Sequence, residues 1–182
     1  MKLPLVSLSE LLVALAVVAI VLTGLVSALD QTQRAYTIGS ARIESQQAAR
    51  VALDRLAREI RQAGAGPPSP DVPAISVAEP TRVVLHFDLN GDGVIAGTGE
   101  TVTWLLRGKV LRRDAGGGAQ PIINGVRDFA LSYLDEDGAP TTVPAAVRTV
   151  VMSLTTEPDH AVGDPSRRGA VTMSTAVRIR NR

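Results

Sequence analysis

Leu11–Leu29 reads LLVALAVVAIVLTGLVSAL, a run without one charge or proline. At ~1.5 Å of rise per residue, nineteen helical residues span roughly 28 Å, about the thickness of a bilayer's hydrocarbon. Only Thr23, Gly24 and Ser27 interrupt the aliphatic side chains. A core helix of a soluble domain normally keeps a polar stripe, and this segment has none. Two other readings remain. The run can be a membrane-spanning helix that stays with the protein. It can also be an export signal cut after Val26-Ser27-Ala28, a small-residue site of the usual kind. Glu10 bears on the choice. A carboxylate one residue ahead of the run, itself preceded by Leu3, Leu5, Val6 and Leu8, is costly at that depth and ordinarily has a partner or a task. A discarded signal needs no such acid, so Glu10 favours retention. Orientation is not fixed by charge, because Lys2 on one side is nearly balanced by Arg34 and Arg42 on the other.

After Asp30 the chain becomes polar but has no break until Gly64. Ala49, Leu53, Leu56, Ile60 and Ala63 recur at helical spacing. Between them Arg50, Asp54, Arg55, Arg58, Glu59 and Arg61 form a solvated face. GAGPPSPDVP, Gly64 to Pro73, is a firm stop. The pattern predicts one helix over about residues 5–63, ~85 Å if unbroken. The alternative is an anchor, a loop around residues 30–45 and a separate helix. Beyond the Pro/Gly-rich stretch, assigned as a hinge over residues 64–80, the period changes to two. Arg82–Phe87, Thr101–Arg107, Lys109–Arg113, Val126–Leu134, Val147–Thr155 and Val171–Arg180 read as strands, with Gly108 making a tight hairpin. No helix-length pattern separates them, so an antiparallel sheet is expected. The expected fold class is α+β: a long N-terminal helix, transmembrane over 6–29 and amphipathic over 30–63, packed on a β-sheet head at 81–182.

Composition excludes several functions. The absence of Cys removes disulfides, Cys-ligated zinc and thiol catalysis. A net charge of +1 and 3% aromatics argue against a nucleic-acid surface held by bulk charge or stacking. Arg167-Arg168, Arg178 and Arg180 are too few on a near-neutral chain to change that. The only histidines, His86 and His160, fall in a predicted strand and a predicted loop, and no nucleophile elbow, zincin or P-loop spacing is present. Gly116–Gly118 and Asp135–Gly138 read as turns. The chain is not expected to be an enzyme.

Asp88-Leu89-Asn90-Gly91-Asp92-Gly93-Val94-Ile95 matches the opening of an EF-hand loop, with oxygen ligands at positions 1, 3 and 5, glycine at 6 and the Val94 carbonyl at 7. Position 12 is Gly99, and Glu100 comes one place later. Strands, not helices, flank the loop. Asp88, Asn90, Asp92, Val94 and Glu100 are therefore the candidate ligands of a structural Ca²⁺. The competing reading is a metal-free turn, for which Asn-Gly and Asp-Gly suffice.

Together the pieces resemble the type IV pilin superfamily, and within it the minor pilins of the PilW type. VSLSELLVALAVVAIVLTGL resembles that family's processed N-terminus, with a glutamate at the fifth mature position. ARVALDRLAREIRQAG resembles the end of its long helix. DLNGDGVIAGTGETVTWLL, KVLRRD, PIINGVRDFALSYLDEDG and AVRIRNR follow its strand order. The resemblance implies a leader Met1–Leu5, a prepilin peptidase cutting between Leu5 and Val6, and N-methylation of Val6. In the position before the cut, where the family has glycine, this sequence has Leu5. It also implies that Glu10 pairs with the N-terminal amine of a neighbouring pilin or pseudopilin subunit during assembly. The expected location is the bacterial inner membrane, single-pass with the head outside the cytoplasm, and then the filament. A J-type minor pseudopilin of a type II secretion system is the alternative within the superfamily. A secreted or membrane-tethered binding module is the alternative of another class.

Overall fold

The structure, a computed structural model, describes residues 7–67, 72–157 and 170–181. One helix, α1 (Leu8–Gln62), runs without a break, so no loop interrupts residues 30–45. By internal contacts the chain divides into Met1–Ser40 and Ala41–Arg182. The division falls later than the end of the apolar run because every described residue from Ser7 to Ser40 is exposed. Burial begins only past Ala41, where the helix has a core to join.

Within Ala41–Arg182 the helix buries Ala49, Ala52, Leu53, Leu56, Ala57, Ile60 and, just past its end, Ala63. Ala52 and Ala57 widen the expected stripe, and small side chains there let the backbone lie close to its cover. Burying Leu53, Leu56 and Ile60 contributes about 1.5–3 kcal/mol each. The helix stops at Gly64, which takes φ +76. A Cβ there would sit 2.5 Å from the Asn181 carbonyl oxygen, so only glycine fits. The Asn181 amide reaches back to the Arg61 and Gln62 carbonyls at 3.4 and 3.3 Å, in the last turn, where carbonyls lack a partner further along the helix; Gln62 also accepts the Ala65 N–H at 2.8 Å.

Among the described residues eight strands succeed it: β1 (Ile75–Glu79), β2 (Arg82–His86), β3 (Thr101–Arg107), β4 (Val110–Asp114), β5 (Gln120–Ile123), β6 (Val126–Leu134), β7 (Thr149–Thr156) and β8 (Val171–Arg178). They make two antiparallel sheets, ordered β1-β2-β3-β4-β5 and β6-β7-β8. The expected single sheet is thus two. The hinge assigned to residues 64–80 also needs correction: Ile75–Glu79 within it is a strand, paired with β2. Strand β5 contains Pro121, and its place at the sheet edge explains why a missing N–H is tolerated. The β3–β4 hairpin uses a two-residue loop in which Gly108 takes φ +62, as a type II′ turn requires at its first central position.

Both sheets contribute to one core with the helix stripe, including Val83, Leu85, Trp104, Phe129, Met152 and Leu154. Trp104 is wholly buried, and its indole N–H donates to Glu59 Oε2 at 2.6 Å. Arg113 Nε donates to Glu59 Oε1 at 2.9 Å, and Arg55 reaches the same oxygen at 3.3 Å from the preceding turn. Tyr133 on β6 donates its hydroxyl to the Glu79 carbonyl at 2.8 Å, linking the second sheet to the β1–β2 turn. Burial, and then the charge of Glu79, push its phenol above the usual tyrosine range.

Glu59→Ala leaves the indole N–H and a half-buried guanidinium without their acceptor. The variant is expected to lose about 2–3 kcal/mol of stability, and Glu59→Gln, which keeps an acceptor for Trp104, clearly less. Chemical denaturation followed by Trp104 fluorescence measures both.

Candidate functional site

The largest chemical anomaly lies on the helix. Leu8, Leu11, Leu12, Val13, Leu15, Val17, Val18, Ile20 and the aliphatic residues up to Leu29 are all exposed. This part of α1 is long and apolar enough to cross a membrane, and none of it is buried in the protein. Apolar area on that scale needs a cover of lipid or protein.

At its start Ser7 and Glu10 form a capping box. The Ser7 N–H and hydroxyl donate to Glu10 Oε2 at 2.9 and 3.0 Å, and the Glu10 N–H donates to Ser7 Oγ at 3.3 Å. The spacing Ser7-x-x-Glu10 is the sequence signature of such a cap, and it gives Glu10 a local task beside the intersubunit one that the resemblance implies. The cap uses one carboxylate oxygen; Oε1 has no partner among the described residues. The leader Met1–Leu5 and Val6 lie outside the described residues, as do His160, Arg167 and Arg168.

In the head, the Asp88 loop is a succession of carboxylate and amide caps. Asp88 is buried and its oxygens accept the N–H groups of Gly91 (2.7 Å), Asp92 (3.2 Å) and Gly93 (2.9 Å). The Asn90 Oδ1 accepts the Asp92 N–H at 3.0 Å, and Asp92 Oδ1 accepts the Val94 N–H at 2.8 Å. Glu100, 2% exposed, turns to the Ala96 and Gly97 amides at 3.1 and 2.5 Å. Asp88, Asn90 and Asp92 are therefore brought together as one turn, with Glu100 closing the next. Among the described residues no three Asp, Glu or His side chains converge as a metal-holding group. A shell shared by all five candidate ligands requires Glu100 and the loop to rearrange.

His86 sits between two hydroxyls, Ser76 Oγ at 2.7 Å from Nε2 and Thr101 Oγ1 at 3.1 Å from Nδ1. Ser76 is the extra residue of a bulge between Ile75 and Val77. Burial lowers the His86 pKa below the ordinary imidazole value. The turns at Asp114 and Asp135 are also capped by their own carboxylates, which accept the N–H groups of Gly116 and Gly118, and of Asp137 and Ala139.

No protein-family model matches the chain, and no curated protein matches it. Among solved structures it is similar to a type IV-like pilin, TTHA1219, from Thermus thermophilus. The two share 15% identity at a TM-score of 0.50, over 74% of this chain and 95% of that one. The likeness shows the fold: a long N-terminal helix joined to antiparallel sheets in the manner of a type IV-like pilin.

Asp88→Ala orphans three backbone amides and is expected to cost about 2 kcal/mol, read as a lower melting temperature. Melting in EDTA and in millimolar Ca²⁺ then separates the two uses of the loop. An unchanged wild-type transition leaves a self-sufficient turn, and a rise with Ca²⁺ assigns a cation. The His86 shift has its own signature. With a folded pKa below that of the unfolded chain, the unfolded state binds more protons in between, so stability is full above the unfolded value of about 6.5 and falls as pH drops through the folded value. Thermal melts from pH 7.5 to 5.5 are expected to show this decline, and His86→Gln to flatten it.

Proposed function

We propose that this protein is a structural minor pilin of the PilW type, held in the inner membrane by its N-terminal helix and joining or priming a type IV pilus. The observation that carries the reading is the fully exposed apolar helix of Leu8–Leu29, continuous in sequence with a head that has its own core. A tether alone needs the apolar run, but not a helix that runs on unbroken into the core of the domain it anchors. The pilin-like fold supports the same reading. The partners are other pilin subunits, engaged through the helix, with a prepilin peptidase acting between Leu5 and Val6.

In this reading Glu10 has two tasks on its two oxygens. One holds the helix start through Ser7, and the other is free to receive a neighbour's amine once both lie in a medium of low dielectric. Glutamine can replace glutamate in a capping box but carries no charge. Glu10→Gln is therefore expected to leave the protein in the membrane fraction at wild-type level, while its amount in sheared filaments falls severalfold. Glu10→Ala should do the same with added fraying of the first turn. Equal recovery of Glu10→Gln and wild type in filaments refutes the pairing task. Mass spectrometry of the native N-terminus tests the wider reading: a start at Val6, methylated, is the expected result, and a start at Leu29 refutes it in favour of a secreted module. Recovery from a secretion pseudopilus and not from pili refutes the pilus assignment in favour of the J-type alternative.

A further inference from the structure

Asparagine followed by glycine is prone to a reaction between its side chain and the main chain, and the sequence has two such pairs, Asn90-Gly91 and Asn124-Gly125. The glycine nitrogen attacks the side-chain amide carbon, and no Cβ on the glycine stands in its way. Loss of ammonia closes a five-membered imide, which water reopens to aspartate or to isoaspartate. The third asparagine, Asn181, is followed by Arg182 and lacks that open approach.

The fold restrains the first pair. Asn90 Nδ2 donates to Asp92 Oδ2 at 2.8 Å, and Asn90 Oδ1 accepts the Asp92 N–H at 3.0 Å. The Gly91 N–H, on the nitrogen that has to attack, donates to the buried Asp88 at 2.7 Å. Ring closure there requires these bonds to break and the Asp88 turn to open.

The second pair is held differently. Asn124 is exposed, and neither its side chain nor the Gly125 N–H has a hydrogen-bond partner among the described residues. Gly125 itself is buried and takes φ +68. Its fastenings lie just past the reacting nitrogen: the Gly125 carbonyl accepts the Glu157 N–H at 2.9 Å, and the Val126 N–H donates to the Lys109 carbonyl at 3.0 Å. The main chain is thus pinned beside the Asn124 amide while both reacting groups are uncommitted. These two residues are also the whole connection between β5, in the first sheet, and β6, in the second.

We propose that Asn124 is a site of spontaneous covalent modification, and that Asn90, with the same following residue, is spared by its turn. The bond from Gly125 N to Asn124 Cγ forms, the Cγ–Nδ2 bond breaks, and ammonia leaves with the proton that Gly125 N gives up. Water then adds across one of the two imide C–N bonds, and nothing is oxidised or reduced. The product carries a carboxylate at the joint between the sheets and takes the net charge from +1 to zero. Where the ring opens on the main-chain side, an extra methylene enters the backbone immediately before the Val126–Lys109 hydrogen bond.

The test uses the purified full chain in detergent, aged at mildly alkaline pH and mapped by peptide mass spectrometry. Conversion reads as the mass gain from amide to acid, and isoaspartate as a separately eluting peptide of the same mass. Asn124 is expected to convert at least roughly tenfold faster than Asn90, the factor set by one or two hydrogen bonds that must open first. Equal conversion at the two, faster conversion at Asn90, or conversion at Asn124 no faster than at Asn181 overturns the proposal. In denaturant both pairs are expected to react alike, and a difference that survives there belongs to the local sequence and overturns it too. Asp88→Ala frees the Gly91 N–H and is expected to raise conversion at Asn90 severalfold with Asn124 unchanged. Asp92→Ala, which removes the acceptor of Asn90 Nδ2 and leaves Asp88 in place, serves where Asp88→Ala does not fold. No rise at Asn90 in the variant that folds overturns the restraint.

Discussion

Burying the Trp104 indole requires an acceptor for its N–H, and the helix supplies one in Glu59. The rest of the head is arranged around that contact. Glu59 lies beside Leu56 and Ile60 on the covered side of α1, so the hydrogen bond can form only when the apolar stripe is seated on the first sheet. Arg113, from the strand next to that of Trp104, supplies the countercharge. The carboxylate side chain is 14% exposed, and an acid so enclosed is tolerated because an indole, a guanidinium and the helix's own Arg55 surround it. Nonspecific apolar contact would let the helix slide or rotate on the sheet. A charged, directional contact at one point fixes its register.

The same helix answers to two environments. From Ala41 onward it obeys the rule for a domain element, one apolar stripe and one polar face. From Leu8 to Leu29 it has no polar face, and none of its aliphatic side chains is covered by the protein. Apolar area on that scale needs a cover of lipid or of other protein. The proposed role draws on two separate observations, the fold, which rests on topology, and this exposed surface, which rests on the chemistry of side chains.

Much of this is legible in the sequence, for identifiable reasons. Leu53, Leu56 and Ile60 repeat at helical spacing, and β7 and β6 from Phe129 onward alternate, because each buries one face only. The breaks at Gly64 and Gly108 can be read because glycine stands where the backbone turns to positive φ. Strand β1 is hidden by the prolines just ahead of it, and β5 by Pro121 and its short length; neither carries enough alternation to be told from a loop. That the strands divide into two sheets is not legible, since pairing between β5 and β6 is decided by tertiary packing. The Ser7–Glu10 cap is written plainly in its spacing, yet an acid beside a membrane raises a larger question that overshadows it. Asp88, Asn90 and Asp92 can be placed together from their spacing, but no pattern of residues shows that loop amides already occupy their oxygens.

Asn181, almost the last residue of the chain, lies against Gly64 and reaches the final carbonyls of α1. The first and last elements of the head are thus fastened at one spot, beside the place where the helix hands over to the β-rich part. Tension drawn along the helix is borne first by the stripe from Ala49 to Ile60 seated in the core, and what passes beyond it meets the Asn181 contact at the helix end. Peeling the helix off from its N-terminal side would undo Ala49, Leu53 and then Glu59 first and the Asn181 contact last, an order of rupture under mechanical load that is built into the fold.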